Sequence, residues 1–306
     1  MDNTLELTSY AKLNLYLKIL KKRPDNYHSI LTIFERISLQ DKIRLKRLDK
    51  KTIGLTSKGF AVPCGKTNLI YKTAVLLQNM FKIKAGVDIE VEKNIPVSAG
   101  LGGGSSNAAA VFSGLNRLWG LNLPLKKLTE LAVDIGADVP FFLRNCSFAI
   151  GSNIGDAIKP VNSKINLWHV VVVPRIKVST PLIYRKWDSI NKYTGPARLE
   201  LNVRQSKAKK VLTGFTRVPL GISKKHLLNM LNIKKGAGHV RKKFSNVAGL
   251  TNPYSVIRIL KQALMEENIL LISKLAYNSL EDISLKIHPV IKKAKQELSK
   301  FNPKTI

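Results

Sequence analysis

The sequence is short of cysteine, of acidic residues and of long apolar runs. Among its 306 residues only two are cysteines, Cys64 and Cys146, and neither stands in a CxxC or HxxxH motif. They cannot form a disulfide framework or a zinc site, so we expect two buried, unreactive thiols. No apolar run approaches the ~18–20 residues that a membrane-spanning helix requires, and acidic residues stand where a signal peptide carries basic ones. These absences predict a cytoplasmic protein that does not enter the membrane.

The shortage of acidic residues leaves a large positive charge. Lys and Arg number 51 and Asp and Glu only 20, a formal net charge of +31. The excess favours anionic partners such as nucleotides, phosphorylated metabolites or nucleic acid, although a general lysine bias would also produce it. The charge is concentrated in residues 195–249, which hold thirteen basic residues and one acid, Glu200. We interpret 195–249 as a basic, poorly ordered insertion.

The rest of the chain predicts mixed helices and strands. Alternating apolar and polar residues predict strands over 5–20, 29–39, 42–47, 87–92, 147–150 and 168–173. Helical spacing predicts helices over 68–81, 105–119, 125–135, 255–266, 269–280 and 289–301. Because the two kinds of element are mixed rather than strictly alternating, the predicted fold class is α+β.

The strongest local signal is a glycine-rich segment, PVSAGLGGGSS at residues 96–106, between a predicted strand and a predicted helix. Free backbone N–H groups and the positive end of the helix dipole meet there, so the segment predicts a phosphate site. It is not a GxxxxGK[ST] loop, because no lysine precedes Ser105, and not a GxGxxG fingerprint, because Ser105 takes the sixth place. The alternative to a phosphate site is that the segment is only a flexible hinge before the helix.

This segment, continued as NAAA, resembles the second motif of the GHMP kinase superfamily, and within it most of all that of the 4-diphosphocytidyl-2-C-methyl-D-erythritol kinase family. Further stretches agree in order and spacing: AKLNL at 11–15, RPDNYH at 23–28, TNLI at 67–70, GADVPFF at 136–142, VST at 178–180 and, more weakly, NSLE at 278–281. The resemblance covers about 1–194 and 250–301. It implies two lobes: an N-terminal domain over 1–150, similar to ribosomal protein S5 and carrying the phosphate loop, and an α+β C-terminal domain over 151–306 interrupted by 195–249.

The sequence departs from the family at its end. The family continues after Phe301 into a third glycine-rich motif beside the catalytic centre, whereas this sequence ends at Ile306. We therefore expect a truncated C-terminal domain that lacks this motif, and a chain that binds ATP better than it turns ATP over.

The resemblance also assigns roles to residues near the phosphates. It implies that Asp138 is the catalytic base and that Lys12 pairs with it and polarises the acceptor hydroxyl. Taken alone, Asp138 could instead cap a following turn, and Lys12 in an alternating strand could simply be solvated. The residues implied to bind ATP are Asn68, near the adenine, and Pro96, Val97, Ser98, Ala99, Gly100, Leu101, Gly102, Gly103, Gly104, Ser105 and Ser106.

Substrate contacts follow from the resemblance as well. Asn14 lies on the same strand face as Lys12 and matches a substrate-contacting position. The resemblance implies that Tyr27 stacks on a cytosine, that His28 reads its edge, and that Tyr184 is a second aromatic on the other side of the base. Thr180 is also implied to bind the substrate. Without it, Tyr27 and Tyr184 would be ordinary half-buried aromatics.

The function implied is ATP-dependent phosphorylation of the 2-hydroxyl of 4-diphosphocytidyl-2-C-methyl-D-erythritol, a step of non-mevalonate isoprenoid precursor synthesis. The expected cofactor is MgATP, with metal ligands that the sequence does not identify, and the expected state is a monomer or weak homodimer. Two alternatives remain open: a GHMP kinase for another small alcohol, and a degenerate, non-catalytic protein that binds nucleotide or, through 195–249, nucleic acid. The Tyr27-His28 pair argues against the first, and intact Lys12 and Asp138 argue against the second.

Overall fold

The structure is a computed structural model that describes residues 3–176, 178–191, 252–301 and 303. The predicted insertion 195–249 lies outside the described residues. Within them the chain forms seven strands: β1 (Thr4–Lys22), β2 (His28–Leu48), β3 (Ile53–Gly59), β4 (Gly86–Lys93), β5 (Phe148–Ser152), β6 (Ala157–Val161) and β7 (Tyr277–Asn278). These make one sheet in the order β3-β4-β2-β1-β7, with β5 paired to β2 and β6 to β5. The pairs β1–β7 and β3–β4 are parallel and the others antiparallel.

Nine helices are present in the same part of the chain: α1 (Leu69–Met80), α2 (Gly103–Leu118), α3 (Leu125–Val133), α4 (Val139–Leu143), α5 (Thr180–Asn191), α6 (Pro253–Met265), α7 (Ile269–Leu275), α8 (Glu281–Ile287) and α9 (Pro289–Ser299). Asparagine begins three of them. The side chains of Asn68, Asn252 and Asn268 each accept a hydrogen bond from a backbone N–H in the first turn of α1, α6 and α7, as preferred N-caps do. The α+β class predicted from the sequence is confirmed.

Two large apolar clusters hold the elements together. Helices α1, α2 and α3 pack against β2 and β4, with Phe112 and Leu115 of α2 and Leu45 of β2 fully buried. Helices α6 and α7 pack against another part of β2, where Ile33 and Leu260 are fully buried. The sheet is therefore shared between two cores, and the predicted boundary at residue 150 lies inside β5. The division into domains 1–150 and 151–306 stays a prediction.

The two predicted strands 29–39 and 42–47 are one strand, β2. The predicted gap between them contains Asp41, which is fully buried and accepts hydrogen bonds from neighbouring segments, so the strand continues through it. Pairing with β1 continues on both sides of it, with an irregular register between Tyr10 and Lys12.

The predicted strand 168–173 is wrong. The segment is not in a strand, and Trp168 is 98% exposed. An apolar, β-branched run needs a hydrogen-bonding partner to become a strand, and no strand among the described residues pairs with it. The predicted helix 269–280 is too long, because α7 ends at Leu275 and the chain then enters β7.

The expectation of two buried thiols is wrong for one cysteine. Cys64 is exposed, in the loop before α1, and so is not a core thiol. Cys146 is half-buried, and burial raises the pKa of its thiol. Among the described helices, none combines the length and apolar character needed to cross a bilayer.

Candidate active site

An irregularity in β1 joins the sheet to the glycine segment. Between Tyr10 and Lys12 the register against β2 shifts, and the backbone N–H of Lys12 donates to the carbonyl oxygen of Leu101 at 2.9 Å. Ala11, Ile95 and Leu101 form a small buried cluster at the same place. The strand irregularity therefore places Lys12 beside the glycine segment.

The glycine segment is a tight turn that opens into α2. Ser98, Gly100 and Gly102 all have positive φ, at 58°, 75° and 70°, a conformation that glycine adopts at little cost. Helix α2 begins at Gly103, two residues before the predicted start, and no side chain among the described residues caps it at Gly102. Gly104 in the first turn is exposed. The N-terminus of α2 is thus open to an anion.

Lys12 lies against this turn with a carboxylate and an amide around its ammonium group. Its Nζ is 3.4 Å from Asp138 Oδ2 and donates to Asn14 Oδ1 at 2.7 Å. The Asn14 amide in turn donates to Thr32 Oγ1 at 2.8 Å. The Lys12 side chain is 8% exposed, so the alternative of a solvated lysine is wrong. Its Nζ also lies 5.4 Å from the centre of the Phe34 ring, within the range of a cation–π contact.

Asp138 stands immediately before α4, and its side chain makes no capping hydrogen bond. Its carboxylate is 30% exposed, so one oxygen faces Lys12 while the group remains accessible. The preceding Gly136 lies against α2, since a Cβ placed on it would be 3.7 Å from Ser105 Oγ. The geometry disfavours a turn cap and places a reachable carboxylate at the start of α2.

A second group of side chains surrounds His28, which is 7% exposed. Its ring is 4.9 Å from that of Tyr184 and 5.8 Å from that of Trp187. Its Nε2 lies 2.7 Å from Asp188 Oδ1, while Lys22 Nζ donates to Asp188 Oδ2 at 2.8 Å. Burial alone would raise the pKa of Asp188, but the hydrogen bonds from Lys22 and His28 outweigh it and lower the pKa.

Tyr184 belongs to this second group. Its ring packs on that of His28 at a tilt of 35°, and burial, together with the negative charge of Asp138, raises its pKa to about 12. Tyr27, next to His28, is 58% exposed. Thr180 is exposed at the first position of α5, and the hydroxyl of Ser179 accepts from the N–H of Leu182 at 3.4 Å.

The side chain of Asn68 holds the start of α1 against the preceding loop. Its Oδ1 accepts from the N–H of Ile70 at 2.9 Å, and its Nδ2 donates to the carbonyl oxygen of Pro63 at 2.6 Å. The neighbouring Leu69 lies 3.7 Å from where a Cβ on Gly104 would stand. Asn68 is therefore close to the glycine segment, and its contact with an adenine stays a prediction.

The structure thus brings together the glycine segment, Lys12, Asn14 and Asp138, while His28 forms a second group with Tyr184, Trp187 and Asp188. The sequence analysis missed Trp187 and Asp188, because it did not identify α5. A helical interpretation of 180–191 would have placed Tyr184 and Asp188, four residues apart, on one face.

The chain has relatives among known proteins. Residues 68–145 match the family model "GHMP kinases N terminal domain". The 4-diphosphocytidyl-2-C-methyl-D-erythritol kinase of Alkaliphilus oremlandii is 45% identical over 183 residues, 60% of this chain and 62% of that protein. The chain thus matches less than two thirds of that relative's length.

Two solved structures share the fold. The mevalonate kinase of L. major, crystallised with R-mevalonate, has a TM-score of 0.52 at 13% identity over 94% of this chain and 77% of its own. The homoserine kinase of Cytophaga hutchinsonii has a TM-score of 0.51 at 14% identity, over 91% of this chain and 72% of its own. The chain therefore has the fold of these kinases, and its residues 68–145 match the N-terminal domain model of the GHMP kinases.

Proposed function

We propose that this chain phosphorylates the 2-hydroxyl of 4-diphosphocytidyl-2-C-methyl-D-erythritol with ATP. The observation that carries the proposal is the Lys12–Asp138 pair, with its ions 3.4 Å apart, at the open N-terminus of α2. A carboxylate, an ammonium group and a phosphate site in one place are what phosphoryl transfer to an alcohol needs. The name of the Alkaliphilus oremlandii relative supports the choice of substrate.

The open start of α2 suits the phosphates of ATP. The backbone N–H groups of the first turn, the exposed Gly104 and the positive end of the 16-residue helix all favour an anion. The remaining residues of 96–106 would line the nucleotide. Within the described residues no cluster of three or more His, Cys, Asp or Glu is present. Mg²⁺ is held largely by substrate phosphates and waters in such sites, and the Ser105 hydroxyl in the first turn of α2 fits as a protein-side neighbour.

The chain's own residues have two tasks in this reaction: they accept the proton of the 2-hydroxyl and stabilise the negative charge that develops on the oxygens. MgATP, when bound, supplies the phosphoryl group: the 2-hydroxyl oxygen bonds to the γ-phosphorus as the bond to ADP breaks. Asp138 accepts the proton that the 2-hydroxyl loses, and its partial exposure leaves an oxygen free for this. Lys12 stabilises the negative charge that develops on the oxygens, because it is nearly excluded from water. Asn14 orients Lys12.

Substrate recognition is proposed for the group around His28. Exposed Tyr27 can stack on the cytosine. Tyr184 packs on His28, and burial together with the charge of Asp138 raises its pKa, which supports a ligand whose base lies at His28 and whose reacting hydroxyl lies at Asp138. His28 Nε2 lies on Asp188, so the contact with the base edge falls to the other ring nitrogen. Stacking is worth ~1–3 kcal/mol per base, enough to favour a cytidyl alcohol over one without a base.

A substrate panel tests the proposal. The purified chain is incubated with ATP, Mg²⁺ and either the cytidyl substrate, mevalonate or homoserine, and phosphorylated product is measured by mass spectrometry. ATP binding is measured separately by calorimetry, and the Alkaliphilus oremlandii relative serves as the positive control. We expect product from the cytidyl substrate alone. Product from another alcohol at an equal rate, or ATP binding with no phosphorylated product at all, would contradict the proposal.

A further inference from the structure

A buried carboxylate lies behind the glycine segment. Asp41 of β2 is fully buried. Its Oδ1 accepts from the backbone N–H groups of Asn94 and Ile95, each at 2.7 Å. Its Oδ2 accepts from the Asn107 amide at 2.8 Å and from the ammonium group of Lys93. Asp41 therefore lies at the centre of four donors, two backbone N–H groups and two side chains.

The partners of Asp41 flank one segment of chain. Asn94 and Ile95 directly precede residues 96–106, the proposed phosphate loop, and Asn107 directly follows it. Asn107 is 2% exposed and also donates to Ser9 Oγ of β1 at 2.6 Å. One carboxylate on the sheet therefore holds the entry and the exit of the loop.

Lys93 adds a contact to the loop itself. Its Nζ lies 2.8 Å from the point that a Cβ on Gly103 would occupy, directly behind the first residue of α2. Lys93 is 3% exposed, and burial, opposed by its bond to Asp41, lowers the pKa of its ammonium group.

The bonding of Asp41 is complete. A carboxylate has about four acceptor positions, and Asp41 receives four donors, two of them backbone N–H groups. A buried ion pair adds little net stability compared with an apolar replacement. An apolar core would serve packing equally well, but it would not fix the directions of the two backbone N–H groups that lead into the loop.

We infer that Asp41 is a positioning residue: it fixes the geometry of residues 96–106 from both ends and so sets the affinity for ATP and the alignment of its phosphates. Asp41 does so without touching the nucleotide. This inference rests on the proposed function, since it takes 96–106 to be the ATP loop.

The test is Asp41→Asn compared with Glu35→Gln. Glu35 lies on the same strand and is also buried, but its carboxylate pairs with His169 and not with the residues that flank the loop. Glu35→Gln therefore makes the same change from carboxylate to amide without removing a contact of the loop. Hydrogen exchange is measured on the ligand-free protein for the amides of 97–106 and, as an internal reference, for buried α6. Calorimetry gives the Kd for ATP.

We expect Asp41→Asn to speed exchange in 97–106 at least tenfold, leave α6 within twofold, and raise the Kd for ATP at least tenfold, while Glu35→Gln changes neither. Unchanged exchange in 97–106, or an equal increase in α6, would overturn the inference. If Asp41→Asn does not fold, Asn107→Ala keeps the Lys93–Asp41 ion pair and removes the bonds from the exit of the loop to Asp41 and Ser9. Exchange should then rise at the start of α2, and unchanged exchange there would overturn the inference equally. Parent protein that binds no ATP would contradict the proposed function, and the exchange data would still decide the role of Asp41.

Discussion

Gly102 offers a sharp test of how Lys12 is placed. A Cβ on Gly102 would lie 2.9 Å from Lys12 Cγ and 2.9 Å from Phe142 Cζ. Carbon atoms pack best at about 3.5–4.0 Å, so Gly102→Ala must displace the lysine stem or the ring by roughly 0.6–1 Å. A misplacement of ~1 Å in a catalytic group can cost ~100-fold in rate. We therefore expect Gly102→Ala to lower kcat by about 100-fold.

The matched control is Gly100→Ala. Both glycines are left-handed, at φ 70° and 75°, so both substitutions carry the same strain of ~1–2 kcal/mol. A Cβ on Gly100, however, meets no atom within 4 Å. Thermal unfolding should show a loss of stability for both variants, larger in Gly102→Ala because its Cβ also overpacks Lys12 and Phe142. The kcat at saturating ATP should fall about 100-fold only in Gly102→Ala. Equal kcat values would refute the reasoning that the glycine makes room for Lys12.

Three further predictions follow from the same site and its surroundings. Asp138→Asn should lower kcat by ~100- to 10,000-fold and leave the Kd for ATP within twofold; a kcat within tenfold of the parent would show that Asp138 is not the base. Tyr27→Ala should raise the KM for the cytidyl substrate roughly 5- to 100-fold through lost stacking, whereas Tyr254→Ala, an equally exposed tyrosine on α6, should not; equal KM values would remove Tyr27 from the base site. Burial, with the charge of Tyr277, raises the pKa of Tyr16 to about 12, so the unfolded chain loses its phenol proton first and the free energy of unfolding falls from pH 10 to 12. In denaturant titrations the free energy of unfolding of Tyr16→Phe should fall less than that of the parent over this pH range. An identical decrease in the two proteins would contradict the raised pKa of Tyr16.

Local signals predicted the elements around the site well. Asn68 before a helical pattern, and glycines before Ser105 and Ser106, mark helix starts that short-range chemistry determines, and α1 and α2 are found there within two residues. The ion pair between Lys12 and Asp138 followed from the resemblance alone. Its two residues are 126 positions apart, and no pattern within either segment indicates the other.

What the sequence did not reveal depends on long-range partners. Asp41 looks like one acid in a polar stretch, and its burial arises only because segments 94–95 and 107 converge on it. The apolar run 168–173 has high β-propensity, yet pairing decides whether it becomes a strand. Helix α5 was missed because Pro181 in its first turn and its largely exposed surface weaken the periodic signal.

The central claim is that a phosphate at the start of α2 faces Lys12 and Asp138. A crystal structure of the chain with a non-hydrolysable ATP analogue, Mg²⁺ and the cytidyl substrate tests it most directly. The account predicts phosphate oxygens on the N–H groups of 103–105 and the 2-hydroxyl within hydrogen-bonding distance of Asp138. A nucleotide bound elsewhere, or a 2-hydroxyl turned away from Asp138, would contradict it.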